Sequence, residues 1–253
     1  MMSRPSLHLD DVRRLEDLAF AGWPALEMRD VAGWRLRFAD GYTKRANSIN
    51  ALAPDAATDV QTVEVLESTY RERGQPPIWR LSPLAPPSIA PLLAGRGYRQ
   101  IERSLLQVCP LQRSFAASPD VVISERPTPD WLATFAAHSP VKPEHRPAMQ
   151  RMLESIAAPA GFAFVQEDGR PAAMAIGAVQ DDHMGLFDVL VMPEARRRGL
   201  ARRVTESLYA WAWRQGARFA YLQVVATNAA AMPLYAAQGF RTVYEYEYRI
   251  PPV

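Results

Sequence analysis

Five arginines, Arg196, Arg197, Arg198, Arg202 and Arg203, surround Gly199, and the chemistry they suit is capture of a small polyanion. Upstream, Leu186 to Met192 is apolar and rich in strand formers, and the Pro193-Glu194 step ends that run. Downstream, Leu200, Val204, Leu208 and Trp211 recur at helical spacing until Gly216, a suitable C-terminal cap. A helix opening at Leu200 leaves its first backbone N–H groups without partners and places the positive end of its dipole there. Glycine at that point lets a pyrophosphate reach the main chain without meeting a Cβ. Asp188 is the second chemical signal, because a carboxylate in an otherwise apolar strand is costly unless it is paired or used. Pairing with an arginine and a role in catalysis both remain open for it.

Composition narrows the field. A chain of 253 residues can hold one large domain or two of ordinary size, and its charge is nearly balanced at +2. Lys44 and Lys142 are the only lysines, so arginine carries almost all of the basic charge. No long basic stripe interleaved with aromatics occurs, which argues against nucleic acid as a partner. The single cysteine, Cys109, permits no internal disulfide, and a buried inert thiol is the expected state. His8, His138, His145 and His183 are scattered without zinc spacing, so no metal is expected. Met1 to Ser6 lacks the apolar run of a signal peptide, and no stretch is long enough to cross a bilayer. A cytoplasmic location without membrane partners is therefore expected, with the oligomeric state left open. No Gly-x-Gly-x-x-Gly or Gly-Lys-Ser/Thr pattern occurs, which disfavours a nucleotide dehydrogenase or a P-loop enzyme.

Arg196-x-x-Gly199-x-Ala201 fits the pattern of Arg or Gln, two residues, Gly, one residue, then Gly or Ala. It is followed by Gln223-Val224-Val225-Ala226-Thr227-Asn228 and by Leu234-Tyr235-Ala236-Ala237-Gln238-Gly239-Phe240. In this order the motifs resemble those of the Gcn5-related N-acetyltransferase (GNAT) superfamily. The resemblance implies an α/β fold with a mixed central sheet flanked by helices, and acetyl-coenzyme A as co-substrate. It also implies direct transfer of acetyl to a primary amine of a small molecule or a peptide amino terminus, without an acyl-enzyme. A non-catalytic acyl-coenzyme A sensor or partner-binding module is the alternative.

The elements read from the sequence after Asp120 follow that family's order. They run strand (121–124), two helices (131–138 and 144–156), a hairpin turning at Asp168-Gly169, the motif strand and helix, a strand (219–226), a short helix from Asn228 and a last strand (244–250). Residues 74–98 lie without gaps over residues 216–240: Gly74, Pro91, Leu92, Ala94 and Gly97 meet identical residues, and Trp79 and Tyr98 meet aromatics. Two tandem GNAT-like domains are expected, a degenerate one over residues 1–112 and a catalytic one over residues 119–253. In the first copy Pro86 stands where Asn228 does, Leu93 stands where Tyr235 does, and Pro54 to Asp59 offers acids instead of a glycine.

Carried over residue by residue, the resemblance assigns backbone groups of Val189, Leu190 and Val191 to the pantetheine arm. It assigns N–H donors of Arg197, Arg198, Gly199, Leu200, Ala201 and Arg202 to the pyrophosphate, with Arg196 touching the cofactor or fixing the loop. Asn228 would cap its helix and contact the cofactor arm, and Tyr235 would give a proton to the departing thiolate. Direct attack needs a neutral amine, hence a base or a water chain. Some relatives carry Glu where this chain has Gln223, which cannot accept a proton, so Asp188 is the nearest candidate base. Glu245, Tyr246, Glu247 and Tyr248 alternate along a strand, so two of them face the cleft. Arg45 and Asn47, read as alternating on a strand, either face the substrate, are solvated or hold the contact between the halves.

Overall fold

Among the described residues of the computed structural model, 8–157 and 159–252, eleven strands form one mixed sheet. The leading segment read for a signal peptide, Met1 to Ser6, lies outside them. The first half contributes α1 (Leu9–Gly22), β1 (Glu27–Val31), β2 (Trp34–Phe38), β3 (Ile49–Ala51), α2 (Val60–Arg71), β4 (Trp79–Leu81), α3 (Ile89–Gly95) and β5 (Arg99–Pro110). The second contributes β6 (Val121–Ser124), α4 (Pro129–His138), α5 (Arg146–Glu154), β7 (Ala160–Glu167), β8 (Arg170–Gln180), β9 (His183–Val191), α6 (Leu200–Arg214), β10 (Phe219–Val225), α7 (Ala231–Ala237) and β11 (Arg241–Ile250). None of the described helices is long and apolar enough to cross a membrane.

Strand order across the sheet is β1-β2-β3-β4-β11-β5-β10-β9-β8-β7-β6. Each half therefore lends its last strand to the other: β11 pairs with β4, and β5 pairs with β10. The lent strands meet each other antiparallel along nearly their whole length, from Arg241 opposite Val108 to Ile250 opposite Arg99. Period-2 burial explains why β11 can sit there, since Tyr244, Tyr246 and Tyr248 turn inward while Glu245 stays exposed. Strand β5 is not apparent from periodicity. Its first half, Arg99-Gln100-Ile101-Glu102-Arg103, is polar, and its second half buries the adjacent Leu105 and Leu106.

The ungapped self-similarity recurs in backbone hydrogen bonds. Gln75 N donates to Tyr70 O as Ala217 N does to Ala212 O, and Tyr98 N donates to Leu93 O as Phe240 N does to Tyr235 O. β3 runs parallel to β4 as β9 does to β10. Helix α1 crosses between the halves: Tyr221 Oη donates to Leu18 O at 2.7 Å, and Trp23 stacks on Phe187 at 5.5 Å. Gly22 permits that approach, because a Cβ there would meet the Tyr221 hydroxyl oxygen at 2.7 Å.

Two local readings need correction. Arg45 and Asn47 lie on no strand; Lys44–Ala46 is a 3-10 turn, and the strand begins only at Ile49. The short helix starts at Ala231, because residues 229 and 230 form a turn first. Cys109 is buried on β5 as a packed thiol, its Sγ 3.1 Å from Gln238 O, and burial pushes its pKa up.

Candidate active site

Parallel pairing of β9 with β10 covers only His183–Leu186 against Phe219–Leu222. Beyond Leu222, β10 pairs with β5 alone, so the β10-facing edge of Val189, Leu190 and Val191 makes no ladder with it. Their other edge stays tied to β8, Leu190 opposite Met174 and Val191 opposite Ala173. The gap opens at a bulge: Asp188 and Val189 stand against the single residue Ala175, and Asp188 takes φ 46°. A bulge re-aims side chains and frees backbone groups, and Asp tolerates the left-handed region better than most residues.

Beyond the gap, Arg197 at φ 61° and Gly199 at φ 78° turn the chain into α6. Such left-handed turns gather successive N–H groups into an anion-binding concavity, here at the positive end of a 15-residue helix. Nothing lies within 4 Å of where a Gly199 Cβ would be, so the approach to the main chain is open. The neighbouring side chains are mostly committed elsewhere. Arg196 Nε donates to Val191 O at 3.3 Å, which ties the loop to the strand end. Arg198 pairs with Glu167 at 2.8 Å and Arg202 with Glu206 at 2.7 Å. Leu200 is buried and Ala201 half-buried, so they offer only main-chain groups. These residues fit a bound pyrophosphate through backbone donors. The matching start of α2 is already filled by its own chain, since the Asp59 carboxylate accepts from Thr62 N at 2.9 Å.

Asn228 is exposed; its Oδ1 accepts from Ala231 N at 3.1 Å and its carbonyl accepts from Met232 N. Tyr235 on α7 packs on Phe240 with ring centres 5.7 Å apart. Burial pushes its hydroxyl up to about 12, with Arg45 opposing the shift and Asp188 adding to it. That coupling places the phenol within electrostatic reach of both charges.

Asp188 faces a cleft of about 560 Å³ that both halves build. The first half supplies Tyr42, Lys44 and Arg45, the loop 139–145 closes the opposite side, and Tyr246 and Tyr248 of β11 form the base. Burial lifts the Asp188 carboxyl to about 6, with the Arg45 cation holding it down. Burial disfavours the Arg45 cation in turn, but Tyr246, Tyr248 and Asp188 outweigh it and raise its pKa overall. Asn47 does not face the substrate. It holds the cleft wall, its Oδ1 accepting from Ala39 N at 2.8 Å and Gly41 N at 3.0 Å while its Nδ2 donates to Tyr42 O and Thr43 O. Gln223 accepts from the Tyr246 hydroxyl at 2.7 Å. Of the four alternating residues on β11 the tyrosines face inward, while Glu245 and Glu247 pair with Arg103 and Arg249. Within the segment 139–145 the sequence reading reached only residues 144 and 145, as the start of a helix, whereas Pro143–His145 is a 3-10 turn and the helix begins at Arg146. The segment's place over Gly41, where His145 Cε1 is 3.2 Å from an ideal Cβ, depends on tertiary packing.

Comparison with known proteins identifies the family and the fold. Residues 10–249 match the family described as probable histone acetyltransferase Rv0428c, C-terminal. A Bacillus subtilis (strain 168) relative, uncharacterized N-acetyltransferase YobR, is 30% identical over 250 residues, spanning 96% of this chain and 99% of the relative. The ribosomal protein bS18-alanine N-acetyltransferase of Escherichia coli (strain K12) is 39% identical over 74 residues, spanning 29% of this chain and 50% of that protein. A GCN5-related N-acetyltransferase from Kribbella flavida shares the fold over 95% of each chain, with a TM-score of 0.68 at 17% identity. A tandem GNAT protein from the clavulanic acid biosynthesis pathway does so over 93% of this chain and 86% of its own, with a TM-score of 0.63 at 12% identity. The chain belongs to the GNAT superfamily of N-acetyltransferases and, within it, to the family of the first description.

Proposed function

We propose that the chain has one acetyltransferase centre, which passes acetyl from acetyl-coenzyme A directly to a primary amine of a small molecule or a peptide amino terminus in the cytoplasm. Residues 119–253 hold the chemistry, and residues 1–112 bind no cofactor but wall the acceptor cleft. The observation that carries this reading is Asp188, which sits at the bulge where the splayed strands meet the composite cleft.

Acetyl-coenzyme A supplies the thioester. The main chain at Val189, Leu190 and Val191 holds its arm, and the N–H groups from Arg197 to Arg202 hold its pyrophosphate. Arg196 fixes the loop, and Asn228 both caps α7 and meets the arm. Asp188 takes a proton from the amine whose nitrogen attacks the carbonyl; the C–N bond forms and the C–S bond breaks. Tyr235 donates a hydrogen bond to the departing thiolate. A phenol near 12 is a weaker acid than a thiol of about 8.5, so it stabilises the thiolate more readily than it protonates it.

Amine-dependent release of free thiol, with the acetylated amine seen by mass spectrometry, is the expected result. Cofactor binding without such release would return the sensor reading. Tyr235→Phe is expected to lower turnover about a hundredfold with cofactor affinity nearly unchanged, as befits a donor aimed at developing charge. Unchanged turnover would remove Tyr235 from the chemistry.

A further inference from the structure

The charges around the cleft do not cancel. Lys44 is engaged by Glu102 at 2.9 Å, which leaves Arg45, whose charge acts on the Asp188 carboxyl, and Lys142 as the other basic side chains of Lys or Arg lining the cleft. Arg45 makes no ion pair among the described residues, although the fold holds it in place: Arg37 Nη1 donates to its carbonyl at 2.6 Å. Beneath it the Tyr246 hydroxyl donates to Gln223, so its oxygen remains free to accept from a guanidinium N–H. The Tyr248 hydroxyl, in a residue 2% exposed, makes no hydrogen bond among the described residues. A buried hydroxyl without a bond costs free energy that an incoming oxygen would recover. A pre-positioned arginine beside an unsatisfied hydroxyl is a receptor for an oxyanion.

We propose that Arg45 and the Tyr248 hydroxyl receive a carboxylate or phosphate of the acceptor, so that the amine acetylated here is a small molecule that also carries an anionic group. This rests on the acetyltransferase reading of the cleft. The amino group lies at Asp188 and the anion at Arg45, which matches each charge to its opposite, while Phe135 and Val141 cover the carbon skeleton between. The cleft volume of about 560 Å³ suits a small ligand. A lysine-rich peptide would bring further cations against Arg45 and Lys142 and is disfavoured.

The test compares matched acceptors: α-amino acids against their amides, O-phosphoethanolamine against ethanolamine, and a lysine-rich peptide. Transfer is followed by thiol release, and binding of the same amines by calorimetry. The anionic member of at least one pair is expected to be preferred by about tenfold or more, the worth of a charge-assisted bond. The pair that shows the preference tells carboxylate from phosphate. Arg45→Gln is expected to abolish the preference, Arg45→Lys to keep part of it, and Tyr248→Phe to reduce it. Equal use of neutral or lysine-rich acceptors, or a preference that survives Arg45→Gln, would overturn the inference while leaving the transferase reading intact. Arg45-dependent binding of anionic amines without any thiol release would sink the transferase reading and keep the receptor. Absence of both transfer and binding for every anionic amine would overturn the receptor as well.

Discussion

Asp188→Asn is expected to lower turnover about a thousandfold while leaving the fold intact, since a positioned base contributes about 10² to 10⁴ in rate. Asparagine has the same shape and tolerates the left-handed backbone that Asp188 adopts at φ 46°, so the bulge should persist. In the native protein, kcat/KM should rise with pH through about 6 as the Asp188 carboxyl loses its proton, and that transition should vanish in the variant. Stability moves the other way. The carboxyl titrates at about 6 in the folded chain against an ordinary 3.8, so the folded state holds the proton more tightly and loses stability as pH rises through about 6. Removing the charge should leave the variant as stable as the native chain at pH 7, or more stable by at most about 3 kcal/mol. Thermal melts at pH 5 and pH 7 beside the rate profile check both. A variant with native turnover would refute the assignment of Asp188 as base, and one that melts far below the native chain at pH 7 would refute the raised pKa of its carboxyl.

The second large effect concerns stability. Arg80 and Glu16 form a bidentate ion pair, Nη2 to Oε1 at 2.8 Å, in side chains only 3% and 2% exposed. Burial works against the Arg80 cation, yet the Glu16 charge and hydrogen bonds outweigh it and hold the pKa well above its ordinary value. Tyr244 donates its hydroxyl to the same carboxylate, and the Arg80 guanidinium lies 3.7 Å from the centre of the Tyr246 ring. The pair thus joins α1 and β4 to the strand lent by the other half, the strand that floors the cleft. Arg80→Met should strand a buried carboxylate and cost about 3–5 kcal/mol, as broken buried pairs do. In a chain of this size that lowers the melting temperature by about 10 °C. Adding Glu16→Leu should recover most of the loss, because an apolar pair of similar volume replaces the ion pair at little cost. A single variant that melts within a degree or two of the native protein would show that the pair is dispensable.

How much was readable beforehand follows from how local each signal is. The start of α6 needs only a strand, a Pro step, a glycine and a helical stripe within about thirty residues, and each of these is a near-neighbour pattern. Asp188 stood out because its environment is written in its apolar neighbours. The repeat placed α3 and α7 at matching positions because both copies keep the same turn, closed by Gly97 at φ 82° and Gly239 at φ 91°. The exchange of β5 and β11 was not readable, since which distant strand fills a sheet position depends on pairing that periodicity does not encode. Arg45 was misplaced for a related reason: the polar run Thr43 to Ser48 alternates like a strand, but Asn47 uses its amide to close a loop. The cleft itself comes from loops of both halves brought over β11, so its character became visible only once they met.

Calorimetric titration with acetyl-coenzyme A tests the central claim most directly, because every proposed step depends on one cofactor held at the Gly199 end of α6. The account predicts binding of one molecule per chain, lost in Gly199→Asp. There a side chain would have to adopt a φ of 78° and would place a carboxylate where the pyrophosphate lies. Absence of heat with the native chain, two molecules bound per chain, or unchanged affinity in the variant would contradict it.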